Sequence, residues 1–508
     1  MKLGHLLTVL DEKEFRGDEQ DDIVSIVSHS ACVREKSLFV AIPGSRVDGH
    51  NFLEAAYQAG ARAFVTQRPF LKPDASTIVV PDARHALALL AAEFFGQPTR
   101  AATLIGITGT NGKTTTTYLI ERILQHAGHQ VGVLGTVEYR YGSRREAAGQ
   151  TTPEPMALQK VLRDMLDGGA RHMVMEVSSQ GLDQRRVDGC QFDAGVFTNL
   201  SPEHLDYHET LDNYYLSKER FFTQVLASSA KKKVRAIINQ DDPMGKCLLG
   251  KIRVPHLSFG IAGGDIRAQH VSLSPAGISA ELCLHREGSI AIRSPLLGTF
   301  NLYNILAAAA AALALDIPVA AIRSGIAAVD LIPGRMERIE NRSGILILVD
   351  YAHTGDALES ALKTLKDIAA RKIITVFGCG GDRDREKRPV MGRVAAHYSD
   401  IVVITSDNPR SEPPERIIEE IEAGVRDAGV SRAPDRHAAR NSDTKTYVVY
   451  PDRAQAIHEA LSLAVPGDSV LIAGKGHETT QQIGAQKFSF DDREVARCAL
   501  QQLSASTG

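Results

Sequence analysis

Cysteine is scarce and unpaired in this chain. The six residues Cys32, Cys190, Cys247, Cys283, Cys379 and Cys498 form no Cys-x-x-Cys pair and no metal-ligand spacing, which argues against a disulfide scaffold or a zinc module. Reduced thiols in a cytoplasmic protein are the simpler expectation. Long apolar runs are missing too. No stretch approaches the roughly 18 uninterrupted apolar residues of a membrane span, and the alanine-rich run at 307–314 is too short. The opening residues reach Asp11, Glu12 and Lys13 before the apolar segment of a secretion signal could form. Charge of one sign is also lacking: Lys plus Arg number 58 against 61 Asp plus Glu, a net charge of −3. That balance gives no reason to expect a nucleic-acid or membrane-surface partner. An anionic ligand would have to be held by local clusters. With 508 residues, 43% hydrophobic and 23% charged, the chain has the composition of a globular protein of about three domains.

What is present is a strand, a glycine turn and a helix at 104–127. Gly109-Thr110-Asn111-Gly112-Lys113-Thr114-Thr115 has the chemistry of a phosphate cradle. Gly109 and Gly112 let the backbone curl so that N–H groups point inward, Lys113 adds a mobile positive charge, and Thr114 offers a hydroxyl to Mg2+. The helix dipole favours an anion at the same end. A stricter phosphate-loop pattern would place glycine where Ile107 stands, so this is a shorter variant. A nucleoside triphosphate is the expected ligand.

Around this loop the apolar runs alternate with helical segments. Strands at 37–41, 63–65 and 77–80 with helices at 52–59 and 85–95 predict a small α/β domain over 1–98. Runs at 131–134, 173–177, 195–198 and 236–239 predict a parallel sheet covered by helices, followed by a β-rich stretch at 254–292 and an alanine-rich helix after Asn301. This central unit is assigned to 99–335. From 336 to 508 the pattern restarts, with strands at 345–349, 373–377, 401–405 and 469–473 and a Rossmann-like third domain expected. Ligands of such open sheets sit beyond the carboxyl ends of the strands.

Several strand ends carry dense polar content. Glu176 closes one strand, where an acid could hold Mg2+ opposite Thr114; a solvated strand-end acid is the plainer alternative. His204 and His208 have the spacing of a zinc helix, but Leu205 occupies the place of the metalloprotease glutamate, so a histidine beside a Mg2+ cluster or a structural one is favoured. Lys218, between Ser217 and Glu219, reads on spacing alone as a surface lysine. Asp350 could meet a ribose. Gly378 to Arg388, Asp407-Asn408-Pro409-Arg410 and Gly474-Lys475-Gly476-His477-Glu478 are turns rich in charge. Each alone could be a solvated turn; together in one domain they point to a small zwitterionic ligand, with Arg410 able to fork onto a carboxylate.

Taken in order, Gly109 to Thr115, Glu176-Val177-Ser178-Ser179, Thr198-Asn199-Leu200 with His204 to Asp206, Asn301 to Asn304, Pro333-Gly334-Arg335 and Asp350 to His353 resemble the Mur ligases of peptidoglycan synthesis along nearly the whole chain. The segments 407–410 and 474–478 resemble the branch of that family that adds meso-diaminopimelate to UDP-N-acetylmuramoyl-L-alanyl-D-glutamate. The resemblance implies an ATP-dependent ligase with Mg2+, cytoplasmic and expected to be monomeric, its partners being small-molecule substrates only. It implies UDP contacts from Ser28, Ser30, Ser45, Arg46 and Val47, and muramoyl-peptide contacts from Thr151, Thr152, Ser178, Gln184 and Arg186. It places Asn304 near adenine, Asp350 near ribose and Arg335 near the phosphates. Lys218 matches a lysine that the family carbamylates into a metal ligand, so Thr114, Glu176, His204 and Lys218 become the metal set, and Lys113, Lys218 and His204 the catalytic one. The amino-acid pocket would use Arg383, Asp407, Asn408, Pro409, Arg410, Gly474 and Glu478. His29-Ser30-Ala31 stands where the family has Asp-Ser-Arg, Gln180 where a histidine often stands, and Glu203 where aspartate is usual. A related ligase that adds lysine or glutamate, and a nucleotide-driven switch that makes no bond, are the alternatives.

Overall fold

The computed structural model describes residues 1–44 and 47–505. Among the described residues three large sheets succeed one another along the chain, with a small two-stranded one near its end. The first has five strands, among them Ser37–Val40, Ala63–Thr66 and Ser76–Val79, with helices Leu53–Gln58 and Ala83–Phe94, close to the expected positions. Short strands Glu14–Arg16 and Ser25–Val27 add its edges; three residues are too few for periodicity to reveal.

The second sheet has eleven strands. At its centre Thr103–Thr108 lies between His172–Glu176 and Ala194–Phe197, parallel to both. Side chains on a strand alternate between faces, and each face here meets a different layer. Ile105, Ile107 and Val174 join Leu119, Ile120 and Ile123 and the alanine-rich helix Thr299–Ala314 on one side. Leu104, Met173 and Met175 join Phe192, Phe221 and Phe222 on the other. Burial on both faces accounts for the unbroken apolar runs. The expectation of a parallel sheet needs one correction. Its core is parallel out to Ile266–Ser274, but antiparallel strands extend both edges, with Glu138–Tyr141 and Arg144–Ala147 on one side and Gly277–Leu284 and Gly288–Ser294 on the other. The first hairpin escaped detection because its outer strand is fully exposed and charged, as befits an edge.

The third sheet has seven strands. Leu346–Asp350, Ser469–Ala473, Ile373–Phe377 and Ile401–Ile404 lie side by side and parallel. Their carboxyl ends therefore bring the turns after residues 350, 473, 377 and 404 into one row. Thr446–Val449 extends this sheet parallel to Ile401–Ile404, and the hairpin Thr480–Ile483 with Gln486–Ser489 forms a separate two-stranded sheet. Among the described residues no helix is long and apolar enough to cross a membrane.

The end of the central sheet remote from its loops holds a stacked pair, His129 and His172, with ring centroids 4.0 Å apart. Burial, reinforced by the neighbouring His129, lowers the pKa of His172 from 6.5 to about 4, and its Nδ1 is buried without a hydrogen-bond partner among the described residues. The folded state thus resists a proton that the unfolded chain accepts. This contribution to stability is intact above pH 6.5 and is lost as pH falls towards 4. His172→Phe should lose less stability than the parent between pH 7 and 5 in denaturant titrations; equal losses would contradict this account.

Candidate functional site

Register explains why the central residues meet. Phe197 pairs with Thr108 and Glu176 with Ile107, so the loop after Thr108, the carboxylate of Glu176 and the pair Thr198-Asn199 emerge together. The loop is pinned to its neighbour. Thr110 N–H donates to Asn199 O at 2.9 Å and Asn111 N–H to Asn199 Oδ1 at 2.8 Å, while Thr198 Oγ1 donates to Asn111 O at 2.7 Å. Gly109 has φ 150°, and a Cβ there would run into Thr198 Oγ1. Thr116 N–H is the first to turn back, onto Gly112 O at 2.9 Å. The N–H groups of the first helical turn have no carbonyl behind them and suit an anion.

Two lysines converge on one carbonyl. Lys113 Nζ donates to Gly109 O and Thr110 O at 2.9 and 2.8 Å, and Lys218 Nζ donates to the same Gly109 O at 2.9 Å. Lys218 is 1% exposed and lies 4.5 Å from the centre of the Tyr214 ring. Burial lowers both lysine pKa values, that of Lys218 well below normal with Lys113 adding repulsion, while Glu203 opposes the shift in each. The surface-lysine reading of Lys218 is therefore wrong. Glu203 is the shared counter-charge: burial raises its pKa, but His204, His353, Lys113 and Lys218 outweigh that and leave it below the usual value. Burial holds His204 and His353 below the ordinary histidine value.

Glu176 is buried, accepting from Thr136 N at 3.0 Å, Thr136 Oγ1 at 2.9 Å and Thr114 Oγ1 at 3.1 Å. Arg335 comes within 3.4 Å of the same Thr114 hydroxyl and stacks 4.7 Å from the Tyr351 ring. Next to Glu176, Thr152 Oγ1 receives Ser178 N–H at 2.9 Å and Thr136 Oγ1 meets Thr151 Oγ1 at 3.0 Å. Arg186 is fixed by Thr152 O, Gln150 Oε1 and Gln184 Oε1 at 2.7, 2.8 and 2.6 Å. One cavity of about 740 Å3 joins these groups to Asn304, Asp350, Tyr351 and His353, within the usual range for a small-molecule site. Asp350 accepts from Met336 N and Ala352 N at 2.7 and 2.8 Å, and burial raises its pKa. Asn304 lies against Gly112, where a Cβ would strike its Oδ1.

A second cluster occupies the row of strand ends in the third sheet. Asn408 Nδ2 donates to Glu478 Oε2 at 2.9 Å. Arg410 has φ 52°, and its Nη1 donates to Gly381 O at 2.6 Å. Both Arg383 and Arg410 flank Gly380. The buried Arg453 spans two of these turns, donating to Ser406 O and Ala473 O at 3.2 and 3.0 Å while paired with Asp492 at 2.7 Å.

Most of the expected residues thus gather into two neighbouring clusters. Ser28, Ser30 and Val47 do not line the central cavity; they lie on the first sheet's side, Val47 being 55% exposed. Ser45 and Arg46 lie outside the described residues. His204 and His208 do not form a zinc pair: His208 bonds Ser179 Oγ at 3.0 Å, and among the described residues no group of three or more His, Cys, Asp or Glu is placed to hold a metal. Sequence reasoning missed Thr136, Gln150, Lys475 and Arg453 as site-forming residues. Of these only Lys475 lay within a quoted motif.

A phosphate-loop sheet sharing its cavity with a doubly wound third sheet defines a ligase architecture, and the chain belongs to the Mur ligase family. Family profiles match as Mur ligase family, catalytic domain (22–95), Mur ligase middle domain (107–312) and Mur ligase, glutamate ligase domain (334–476). The chain is similar to the UDP-N-acetylmuramoyl-L-alanyl-D-glutamate--2,6-diaminopimelate ligase of Geobacter metallireducens, 48% identical over 508 residues and 99% of each chain. That of Geobacillus thermodenitrificans is 44% identical over 504 residues, 99% of this chain and 100% of its own. A solved structure of an enzyme of the same name superposes with a TM-score of 0.71 at 31% identity, covering 99% of this chain and 100% of that one.

Proposed function

We propose that this chain uses ATP to join 2,6-diaminopimelate to UDP-N-acetylmuramoyl-L-alanyl-D-glutamate in the cytoplasm. It acts as a monomer divided into a UDP-sugar domain at 1–98, an ATP domain at 99–335 and an amino-acid domain at 336–508. The observation that carries the reading is the single cavity in which Lys113, Glu176, Lys218 and Arg186 face Asp350 and His353 of the third sheet. In the first step a D-glutamate carboxylate oxygen attacks the γ-phosphorus of ATP, forming an acyl phosphate and breaking the bond to the departing ADP. In the second the diaminopimelate amine attacks the acyl carbon, the C–N bond forms, phosphate leaves and the amine loses a proton. Lys113 and Arg335 offset charge on the transferring phosphoryl group. Arg186 and Thr152 hold the peptide, and His353, held below the ordinary histidine value by burial and lying beside Glu203, is placed to take the proton.

The donor set suits Mg2+. Thr114 Oγ1 and Glu176 are hard oxygen donors already in contact, and few protein ligands with water and phosphate completing the shell is the usual arrangement for this ion. Thr114, Glu176, His204 and a carbamylated Lys218 would hold it, and it would supply charge neutralisation of the triphosphate.

The test is an amino-acid panel with ATP and the UDP-muramoyl dipeptide, followed by mass spectrometry. Diaminopimelate should be incorporated and phosphate release should require both acceptor and amine. Preferential incorporation of lysine or glutamate, or substrate-independent hydrolysis, would overturn the reading.

A further inference from the structure

Lys475 lies under the row of strand ends with its side chain 0% exposed. Its Nζ reaches three oxygens: Glu478 Oε2 at 3.1 Å, Asn408 Oδ1 at 3.2 Å and Asp407 Oδ1 at 3.6 Å. These belong to two different turns. Asn408 Oδ1 also accepts from Gln482 N at 2.9 Å, and Asn408 Nδ2 donates to Glu478 Oε2. The effect on Glu478 is asymmetric. Its Oε2 is held twice, whereas Oε1 receives no hydrogen bond among the described residues and the side chain keeps 33% exposure. The carboxylate is therefore clamped by one oxygen and offers the other.

Charge makes the clamp necessary. Asp407 and Glu478 both approach Lys475, and Asp407 Oδ1 is buried with no hydrogen-bond partner among the described residues. Without Lys475 the two acids are left with Arg453, which is already paired with Asp492; in a poorly solvated place they repel each other, and the exposed one swings to water. Asn408 Oδ1 would lose one of its two donors, keeping only Gln482 N–H, since a lysine ammonium can only donate and so helps to fix which amide atom faces it.

We propose that Lys475 is a positioning residue of the amino-acid site, presetting Glu478 and Asn408 so that Glu478 Oε1 receives an ammonium group of the incoming diamino acid. This rests on the reading of residues 407–410 and 474–478 as the amino-acid pocket. Preorganisation of this kind lowers the cost of binding without any contact between Lys475 and the substrate.

The test is a double-mutant cycle with the full chain, reading KM for diaminopimelate, KM for ATP and kcat in Lys475→Met, Glu478→Gln and the double variant. Lys475→Met should raise the diaminopimelate KM by about 30-fold, the scale of one lost charge-assisted contact, with the ATP KM within about twofold. Because Lys475 acts through Glu478, adding it to Glu478→Gln should change KM by less than about threefold. Fully multiplying effects, an unchanged diaminopimelate KM, or an equal rise in the ATP KM would overturn the proposal. If Glu478→Gln itself leaves the diaminopimelate KM unchanged, the pocket assignment fails first and the proposal with it. Should Lys475→Met not fold, Lys475→Gln, which retains a donor of nearly matching length, provides the same three readouts.

Discussion

Lys218→Met is expected to lower kcat by about a thousandfold, the upper range for losing one preorganised electrostatic group, while the protein stays folded. The amine is buried against Gly109 O and Tyr214, and replacing a buried polar chain by an apolar one of similar length is tolerated. Gly109 O also keeps the hydrogen bond from Lys113, so the loop retains its anchor. The Lys218 pKa is shifted well below its normal value by burial and then by Lys113, which favours the neutral amine. Such an amine can add to carbon dioxide, losing a proton to give a carbamate that is anionic where the parent lysine would be cationic. Activity should therefore fall as acid protonates the amine, and added bicarbonate should restore part of it in the parent but none in the variant. Thermal denaturation and steady-state rates would decide the matter. Turnover within tenfold of the parent would remove Lys218 from the chemistry.

Arg410→Ala should raise KM for diaminopimelate about 100-fold and leave that for ATP within about twofold. The residue is held at φ 52°, a left-handed conformation costing roughly 1–2 kcal/mol for an L-residue. Neighbouring backbone enforces it: Arg410 N–H donates to Gln482 O at 3.1 Å and Arg410 O accepts from Gly484 N at 2.7 Å. With Nη1 on Gly381 O, the guanidinium is already oriented and its remaining donors suit the second carboxylate that distinguishes diaminopimelate from lysine. Lysine would leave an aligned, partly buried cation without its acid, a penalty of several kcal/mol. Arg410→Lys keeps the charge and loses the fork, so it should recover only a small part of the affinity. An unchanged KM in either variant would refute the assignment.

What could be read from the sequence was what is local. The phosphate loop was legible because Gly109, Gly112, Lys113 and Thr114 are neighbours whose spacing is itself the chemistry. The central and third sheets were legible from apolar runs because both their faces are buried. Lys218 could not be judged from Glu219 and Arg220: its burial comes from Tyr214 and Gly109, the latter 109 positions away. Arg453 was invisible for the same reason, because its partners at Ser406, Ala473 and Asp492 come together only when the third sheet forms. The polar hairpin at 138–147 lacked an apolar run, and Lys475 sat inside a recognised motif without a role until its three oxygen neighbours were known.

The pairing of Asp350 with Ala473 puts Tyr351 at the wall of the central cavity, towards the row of strand ends. Arg335 covers its ring at 4.7 Å and His477 lies 5.0 Å from it. With ATP and the diamine bound as proposed, a tilt of that ring would be felt on both sides. Linkage then requires that whatever factor a bound nucleotide adds to the hold on the diamine, the diamine returns to the nucleotide. Order of arrival becomes a question of kinetics, while the final ternary population is the same by either route.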